Sequence, residues 1–190
     1  LSGRGNVVHQ ARTFGHQVSR EEAQQVLHQI KSLEHKGFTF EAADASVDLM
    51  LRRIRDDYRA PFELVDFMVI TEHRHGRGLL CEATVKVRVA GEVKLTAAEG
   101  NGPVNALASA LHKTLCEAHP PLGDLRLTDY KVRILDSDRG TAAITRVLIS
   151  FQQGTRTWTT VGASPNIIEA SWRALSDSME YALLTHAEAR

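Results

Sequence analysis

Three short stretches carry residue types that could do chemistry. His73-Arg74-His75 offers two imidazoles of the kind that ligate a transition metal. No cysteine or carboxylate stands at ligand spacing from them, and the following Gly76-Arg77-Gly78 marks an exposed hairpin loop. Asp136-Ser137-Asp138-Arg139-Gly140 opens like a calcium loop but lacks the glutamate that closes one, so a turn is expected there. The third stretch, Gly100-Asn101-Gly102-Pro103, is more informative. Glycines flank an asparagine just before a helical pattern, which aims backbone N–H groups outward at a helix start and suits a carboxylate. Gly162-Ala163-Ser164-Pro165 stands in the same position before a second helical pattern. The alternative for both is a plain strand-to-helix turn. Nine histidines allow many Ser/His/Asp combinations, but no nucleophile-elbow sequence is present and no catalytic residue is assigned.

The elements that must hold these residues follow from periodicity. Leu1 to Gly15 has no period and reads as a loop or tail. Ser19-Arg20-Glu21-Glu22 has the form of a capping box, and Ala23, Val26, Leu27, Ile30 and Leu33 follow at helical spacing until Lys36-Gly37. A second helix is expected from about Phe40 to Arg55, with Phe40, Ala43, Val47, Met50 and Ile54 on one stripe. From Leu64 the period changes to two. Leu64 to Thr71 is one strand, and Cys81, Ala83, Val85, Val87 and Val89 alternate with polar residues in the next. Ala90-Gly91-Glu92 turns into a third strand carrying Val93, Leu95 and Ala97. Pro103 then opens a helix bearing Val104, Leu107, Ala108, Leu111 and Leu115.

A shift of 64 residues superposes this pattern on the rest of the chain. Met68 and Ile70 fall on Val132 and Ile134, Val85 on Ile149, Thr96 on Thr160, and Ala106 and Leu111 on Ala170 and Leu175. The expected fold is therefore α+β: two pseudo-twofold-related β-β-β-α units preceded by two linker helices. The expected division is residues 1–16 as a tail, 17–60 as a helical linker subdomain and 61–190 as the domain formed by the repeat. Loops and strand ends of the two units are natural pocket walls.

Length and composition narrow the function classes. A chain of 190 residues is too short for a full (β/α)₈ barrel, which takes about 250. Its 43% hydrophobic and 24% charged residues are globular composition. Twenty-three basic and 23 acidic side chains cancel, so no nucleic-acid partner is expected. No apolar run reaches membrane-spanning length and no signal peptide is visible, so no membrane partner and a cytoplasmic location are expected. Cys81 and Cys116 read as buried thiols in a reducing compartment.

Gly100-Asn101-Gly102-Pro103-Val104-Asn105-Ala106 resembles the signature loop of the C-terminal regulatory, or dimer, domain of the 2-isopropylmalate synthase and citramalate synthase family. Trp158-Thr159-Thr160-Val161-Gly162 with Asn166-Ile167-Ile168-Glu169-Ala170-Ser171-Trp172 resembles its second-repeat motif, in the form closest to citramalate synthases. Leu33-Glu34-His35-Lys36-Gly37-Phe38 and Phe40-Glu41-Ala42-Ala43-Asp44-Ala45-Ser46 are similar to the linker helices of these enzymes, and Leu1-Ser2-Gly3-Arg4-Gly5-Asn6 to the end of their catalytic region. The resemblance covers nearly the whole chain.

It implies a fragment of an acyltransferase that condenses acetyl-CoA with a 2-oxo acid. The catalytic barrel and its divalent metal would lie before Leu1, leaving this chain without cofactor or activity of its own. The implied partners are a second copy of the chain, its own catalytic domain and a branched-chain amino acid, isoleucine or leucine. The resemblance carries the effector site onto Gly100, Asn101, Gly102, Val104, Asn105, Leu127, Tyr130, Ile134, Ile144, Pro165 and Ile167. Leu127, Ile134, Ile144 and Ile167 would form an apolar socket, and the glycine loop would hold the carboxylate. Loop carbonyls or the Asn105 side-chain oxygen would take the ammonium. Asn105 stands where many relatives carry an acidic residue. The alternatives are a dimerisation module without a small ligand and, more remotely, an independent hydrolase.

Overall fold

Among the described residues, α-helices and β-strands occur in the order α1 (Arg4–Thr13), α2 (Arg20–Glu34), α3 (Asp44–Arg53), β1 (Glu63–Arg74), β2 (Gly78–Val89), β3 (Glu92–Gly100), α4 (Pro103–Ala118), β4 (Arg126–Ile134), β5 (Thr145–Gln153), β6 (Arg156–Ser164) and α5 (Ile167–Glu188). The coordinates are a computed structural model that describes the backbone of residues 3–188. The fold is α+β, with two three-stranded antiparallel sheets, ordered β1-β2-β3 and β4-β5-β6, each followed by a helix. The chain divides into two compact units, Leu1–Arg59 with Leu127–Ser178, and Ala60–Arg126 with Met179–Arg190.

The repeat holds to the residue in its later elements. β3 and β6 start and end 64 residues apart, and α4 and α5 start 64 residues apart. Pairing repeats too: Val85 faces Thr96, and Ile149 faces Thr160. The first strands differ. β1 ends in a hairpin turn at residues 75–77, whereas β4 ends early and residues 137–142 form a 3₁₀ segment entered through Asp136 in a left-handed conformation, φ 50°. Leu135 N–H donates to the Ile144 carbonyl at 2.7 Å and ties the ends of that segment together.

In the first unit, the Ser19 capping box forms as its sequence demands. Glu22 N–H donates to Ser19 Oγ at 3.1 Å, and Ser19 N–H to Glu22 Oε2 at 2.6 Å. The helix buries Ala23, Val26, Leu27 and Ile30 and stops at Gly37, whose φ of +95° favours glycine. A Cβ there would also lie 2.6 Å from Ile144 Cγ2. α3 begins at Asp44, later than the apolar stripe suggests. Phe40–Ala43 is a turn, Ala43 has a non-helical backbone with φ −129° and ψ 55°, and an acidic residue then sits at the positive helix start. Arg4–Thr13, expected to be irregular, is helical. It has no side-chain cap, and among its described side chains Val7 and Ala11 are the buried ones, so its stability comes from packing on its neighbours.

The β5–β6 layer of this unit is covered on both faces. Val161 and Ala163 join the cluster of α1, α2 and α3, and Val161 N–H donates to Ser46 Oγ at 3.0 Å. On the other face, Thr160 Oγ1 donates to the Ala174 carbonyl at 2.7 Å and lies 2.6 Å from Ser178 Oγ. A buried carboxylate, Asp48, is bound by His16 Nε2 and by Arg52 Nε at 3.2 Å, which offsets its desolvation.

In the second unit, β2 turns into β3 through Ala90 and Gly91, both at positive φ, as a two-residue hairpin requires. Cys81, Ala83, Val85, Val87 and Val89 are buried and α4 packs on their sheet with Ala106, Leu107, Ala110, Leu111 and Leu115. The opposite face of the sheet exposes Met68, Ile70, Val93 and Leu95. Cys81 is buried; Cys116 is half-buried, and burial pushes its thiol up, away from thiolate.

Candidate functional site

The eleven residues marked by the sequence divide between the two units. Gly100, Asn101, Gly102, Val104 and Asn105 lie at the β3–α4 turn of the second unit. Leu127, Tyr130, Ile134, Ile144, Pro165 and Ile167 lie in the first.

At the β3–α4 turn the two glycines answer different needs. A Cβ on Gly100 would stand 2.6 Å from Asn105 Oδ1 and closer still to the Ala106 backbone nitrogen. Gly102 has extended φ and ψ of −170° and 170°, and a Cβ there meets nothing within 4 Å. Gly100 is therefore required by the fold, while Gly102 leaves open space beside the helix start. Asn105 Oδ1 accepts from Asn101 N–H at 3.1 Å, closing the loop on itself. That bond takes the Asn101 N–H out of the set available to a carboxylate. Pro103 has no N–H, and no side chain caps α4, so the Val104 and Asn105 amides present the positive end of the helix.

The equivalent turn of the first unit is built differently. Asn166 Oδ1 accepts from Ile168 N–H at 2.9 Å and Glu169 N–H at 3.4 Å, and Ser164 Oγ accepts from Asn166 N–H at 3.1 Å. Glu169 then receives a bond from Ser164 Oγ at 2.7 Å and one from Arg173 at 2.6 Å, and these hold its carboxyl below its ordinary value. The α5 start is thus satisfied internally. Two loops that read alike in sequence are one open and one closed helix end. The signal was Asn166, an N-cap residue type lacking at position 102.

Among the first-unit residues, Tyr130 Oη lies 3.0 Å from Ser171 Oγ, which donates to the Ile167 carbonyl at 2.7 Å. Tyr130 and Ile167 are joined through that hydroxyl pair. Ile134 and Ile144 are brought near each other by the Leu135–Ile144 bond. Leu127, Ile134 and Ile167 are 40%, 61% and 42% exposed, apolar surface with room for a ligand. Ile144 instead packs against the helical cluster beside Gly37. Pro165 is exposed.

His73 and His75 stand exposed at the end of β1 and in its turn, and Asp136–Gly140 is exposed throughout. Among the described residues, no group of three or more His, Cys, Asp or Glu could hold a metal ion. No described helix is long and apolar enough to cross a membrane. Among the described residues, a cavity of about 580 Å³ in the first unit and one of about 450 Å³ in the second are lined by other residues.

The chain is a βββα repeat with one uncapped, glycine-bounded helix start and one capped helix start. The LeuA allosteric (dimerisation) domain family matches residues 41–183, and the chain belongs to that family. It is 44% identical over 186 residues to the (R)-citramalate synthase of Geobacter sulfurreducens, across 96% of this chain and 35% of that protein. It is 43% identical to the (R)-citramalate synthase of Aquifex aeolicus, across 99% of this chain and 36% of the relative. The 2-isopropylmalate synthase of Methanocaldococcus jannaschii is 26% identical over 87% of this chain and 30% of its own length. The chain spans about a third of the length of these relatives.

Proposed function

We propose that the chain is the feedback-regulatory and dimerisation domain of a citramalate synthase, an acyltransferase that condenses acetyl-CoA with pyruvate, and that isoleucine is its effector. The observation that carries this reading is the identity of 43–45% to (R)-citramalate synthases from three organisms along 96–99% of the chain. The 2-isopropylmalate synthases, for which leucine would be the effector, match at 26–32%.

In this reading the effector carboxylate takes the Val104 and Asn105 amides at the uncapped α4 start, where the helix dipole favours an anion. Gly102 keeps the backbone approachable. In the first unit, taken by itself, Leu127, Tyr130, Ile134, Pro165 and Ile167 are the apolar residues proposed for a branched side chain, while Ile144 is engaged with the helical cluster. The ammonium takes loop carbonyls, since Asn105 Oδ1 already accepts from Asn101. The catalytic barrel and its divalent metal belong to the remaining length of the parent protein, whose location is cytoplasmic.

The chain pairs with a second copy of itself. The open face of β1-β2-β3, where Met68, Ile70, Val93 and Leu95 are 48–63% exposed, is the apolar surface a dimer would cover. A pure dimerisation module would share that surface and ignore amino acids. The test is CoA release from acetyl-CoA by the full-length parent. Pyruvate should be the accepted 2-oxo acid and isoleucine the inhibitor, and the 190-residue chain alone should release none. Preference for 3-methyl-2-oxobutanoate with inhibition by leucine would replace this reading with the 2-isopropylmalate synthase one.

A further inference from the structure

The larger cavity lies wholly within the first unit, where α2 and α3 meet β6 and α5, and it shares no residue with the proposed effector set. Its volume of about 580 Å³ is in the range of small-molecule sites. Phe38 and Phe40, stacked with ring centroids 6.2 Å apart, give one apolar wall, and Met50 and Trp172 give others. These four are nine-tenths buried, so the walls are held by the core and not by mobile surface chains.

The polar groups are as specific. Arg53 Nη2 donates to Asp177 Oδ1 at 2.6 Å, linking α3 to α5 at the cavity and neutralising the aspartate. Arg173 donates through Nη1 to the Ala163 carbonyl at 3.2 Å and through Nη2 to Glu169 at 2.6 Å. A guanidinium has five N–H donors, so Arg173 keeps others for a ligand while its plane is fixed. The one carboxylate lining the cavity is already engaged, and two guanidinium groups line it.

We infer that this cavity is a second ligand site, built for an aromatic or branched monocarboxylate whose apolar body packs on Phe38, Phe40 and Trp172 and whose carboxylate meets Arg173. An α-ammonium finds no free carboxylate there, so the site takes the simple acid in preference to the amino acid. Because its walls come from α2, α3, β6 and α5, occupancy ties the N-terminal helices to the sheet and helix they pack on.

Trp172 is one of two tryptophans, so Trp158→Phe leaves it as the sole reporter. The probe is 3-phenylpropanoate, with phenylalanine as its ammonium-bearing counterpart and 3-phenylpropanol as its uncharged one. Emission excited at the indole band should change saturably with 3-phenylpropanoate, and the melting temperature should rise. The alcohol and phenylalanine should each bind about tenfold more weakly or worse. Arg173→Gln should weaken the acid by about tenfold. Ser176→Leu, which puts a larger side chain into the cavity lining and keeps all the ion-pairing residues, should abolish binding while the folded CD spectrum is retained. No saturable change at millimolar acid, equal binding of the alcohol, tighter binding of phenylalanine, or parent-like binding by Ser176→Leu would each overturn the inference. Isoleucine binding at the α4 loop is measured separately, by the effect of Gly102→Val, so failure of one site is distinguishable from failure of the other.

Discussion

Asn105 Oδ1 accepts a hydrogen bond from Asn101 N–H at 3.1 Å, so the loop before α4 is closed by a side chain of the helix it introduces. The bond holds the loop in place and leaves the Val104 and Asn105 amides at the helix end without a side-chain cap. Asn105→Ala removes that brace. Stability should fall by about 1 kcal/mol, the size of an ordinary lost hydrogen bond. Isoleucine affinity should fall as well, because the donors lose their fixed positions. Denaturant melts and a titration on the same variant measure both.

Gly100→Ala and Gly102→Ala should separate cleanly. The added methyl at 100 meets the Ala106 nitrogen and Asn105 Oδ1, and overpacking of this kind costs roughly 1–3 kcal/mol. The same change at 102 meets open space at an extended φ and should leave the denaturation midpoint nearly unmoved. Equal losses at the two positions would contradict the loop geometry.

Asn166→Ala should cost about 1 kcal/mol through loss of the α5 cap, read as a lower midpoint at unchanged m-value. An equivalent change at position 102 has no cap to lose.

Glu22 titrates in the capping box. Bonds from Ser19, backbone first and hydroxyl second, hold its carboxyl below the model-compound value of 4.5. A depressed folded value means its contribution is present above pH 4.5 and fades as pH falls through the lower folded value. Ser19→Ala should therefore destabilise by about 1 kcal/mol at neutral pH. The backbone N–H at position 19 survives that change, so the pH-dependent part is read in Glu22→Gln: the gap between that variant and the parent should narrow on acidification below 4.5, followed by chemical denaturation at several pH values.

Much of this fold is legible in the sequence because its signals are local. Ser19 and Glu22 announce one helix start, Pro103 another, and Ala90-Gly91 a hairpin. The 64-residue repeat survives because buried positions such as Val85 and Ile149, or Thr96 and Thr160, do the same work in both sheets. α1 is not legible because Val7 and Ala11 are its only fully buried described positions, too few to set a period. The end of β4 departs from the repeat because Asp136 turns the chain into a 3₁₀ segment where β1 makes a hairpin. The candidate carboxylate site was visible as a glycine pair, but the difference between Gly100 and Gly102 was not. One is set by a through-space approach and the other by empty space, and neither is written in neighbouring residues. The cavity beside Trp172 joins four elements far apart in sequence, so no spacing encodes it.

Tyr130→Phe should lose the bond to Ser171 and little else, a cost of about 1 kcal/mol in stability. Tyr130→Ala should also remove an aromatic wall from the effector, weakening isoleucine by roughly tenfold to a hundredfold. Parent-like isoleucine affinity in Tyr130→Ala would remove Tyr130 from the site.

Calorimetric titration of the 190-residue chain with isoleucine, leucine and valine, beside the Gly102→Val variant, tests the central claim most directly. The account predicts saturable heat with isoleucine as the tightest ligand. Gly102→Val should keep the parent's folded spectrum, because its side chain enters open space, yet lose isoleucine binding, because that space is where the carboxylate reaches the α4 amides. Absence of binding by any of the three amino acids, or unchanged isoleucine affinity in folded Gly102→Val, would contradict it.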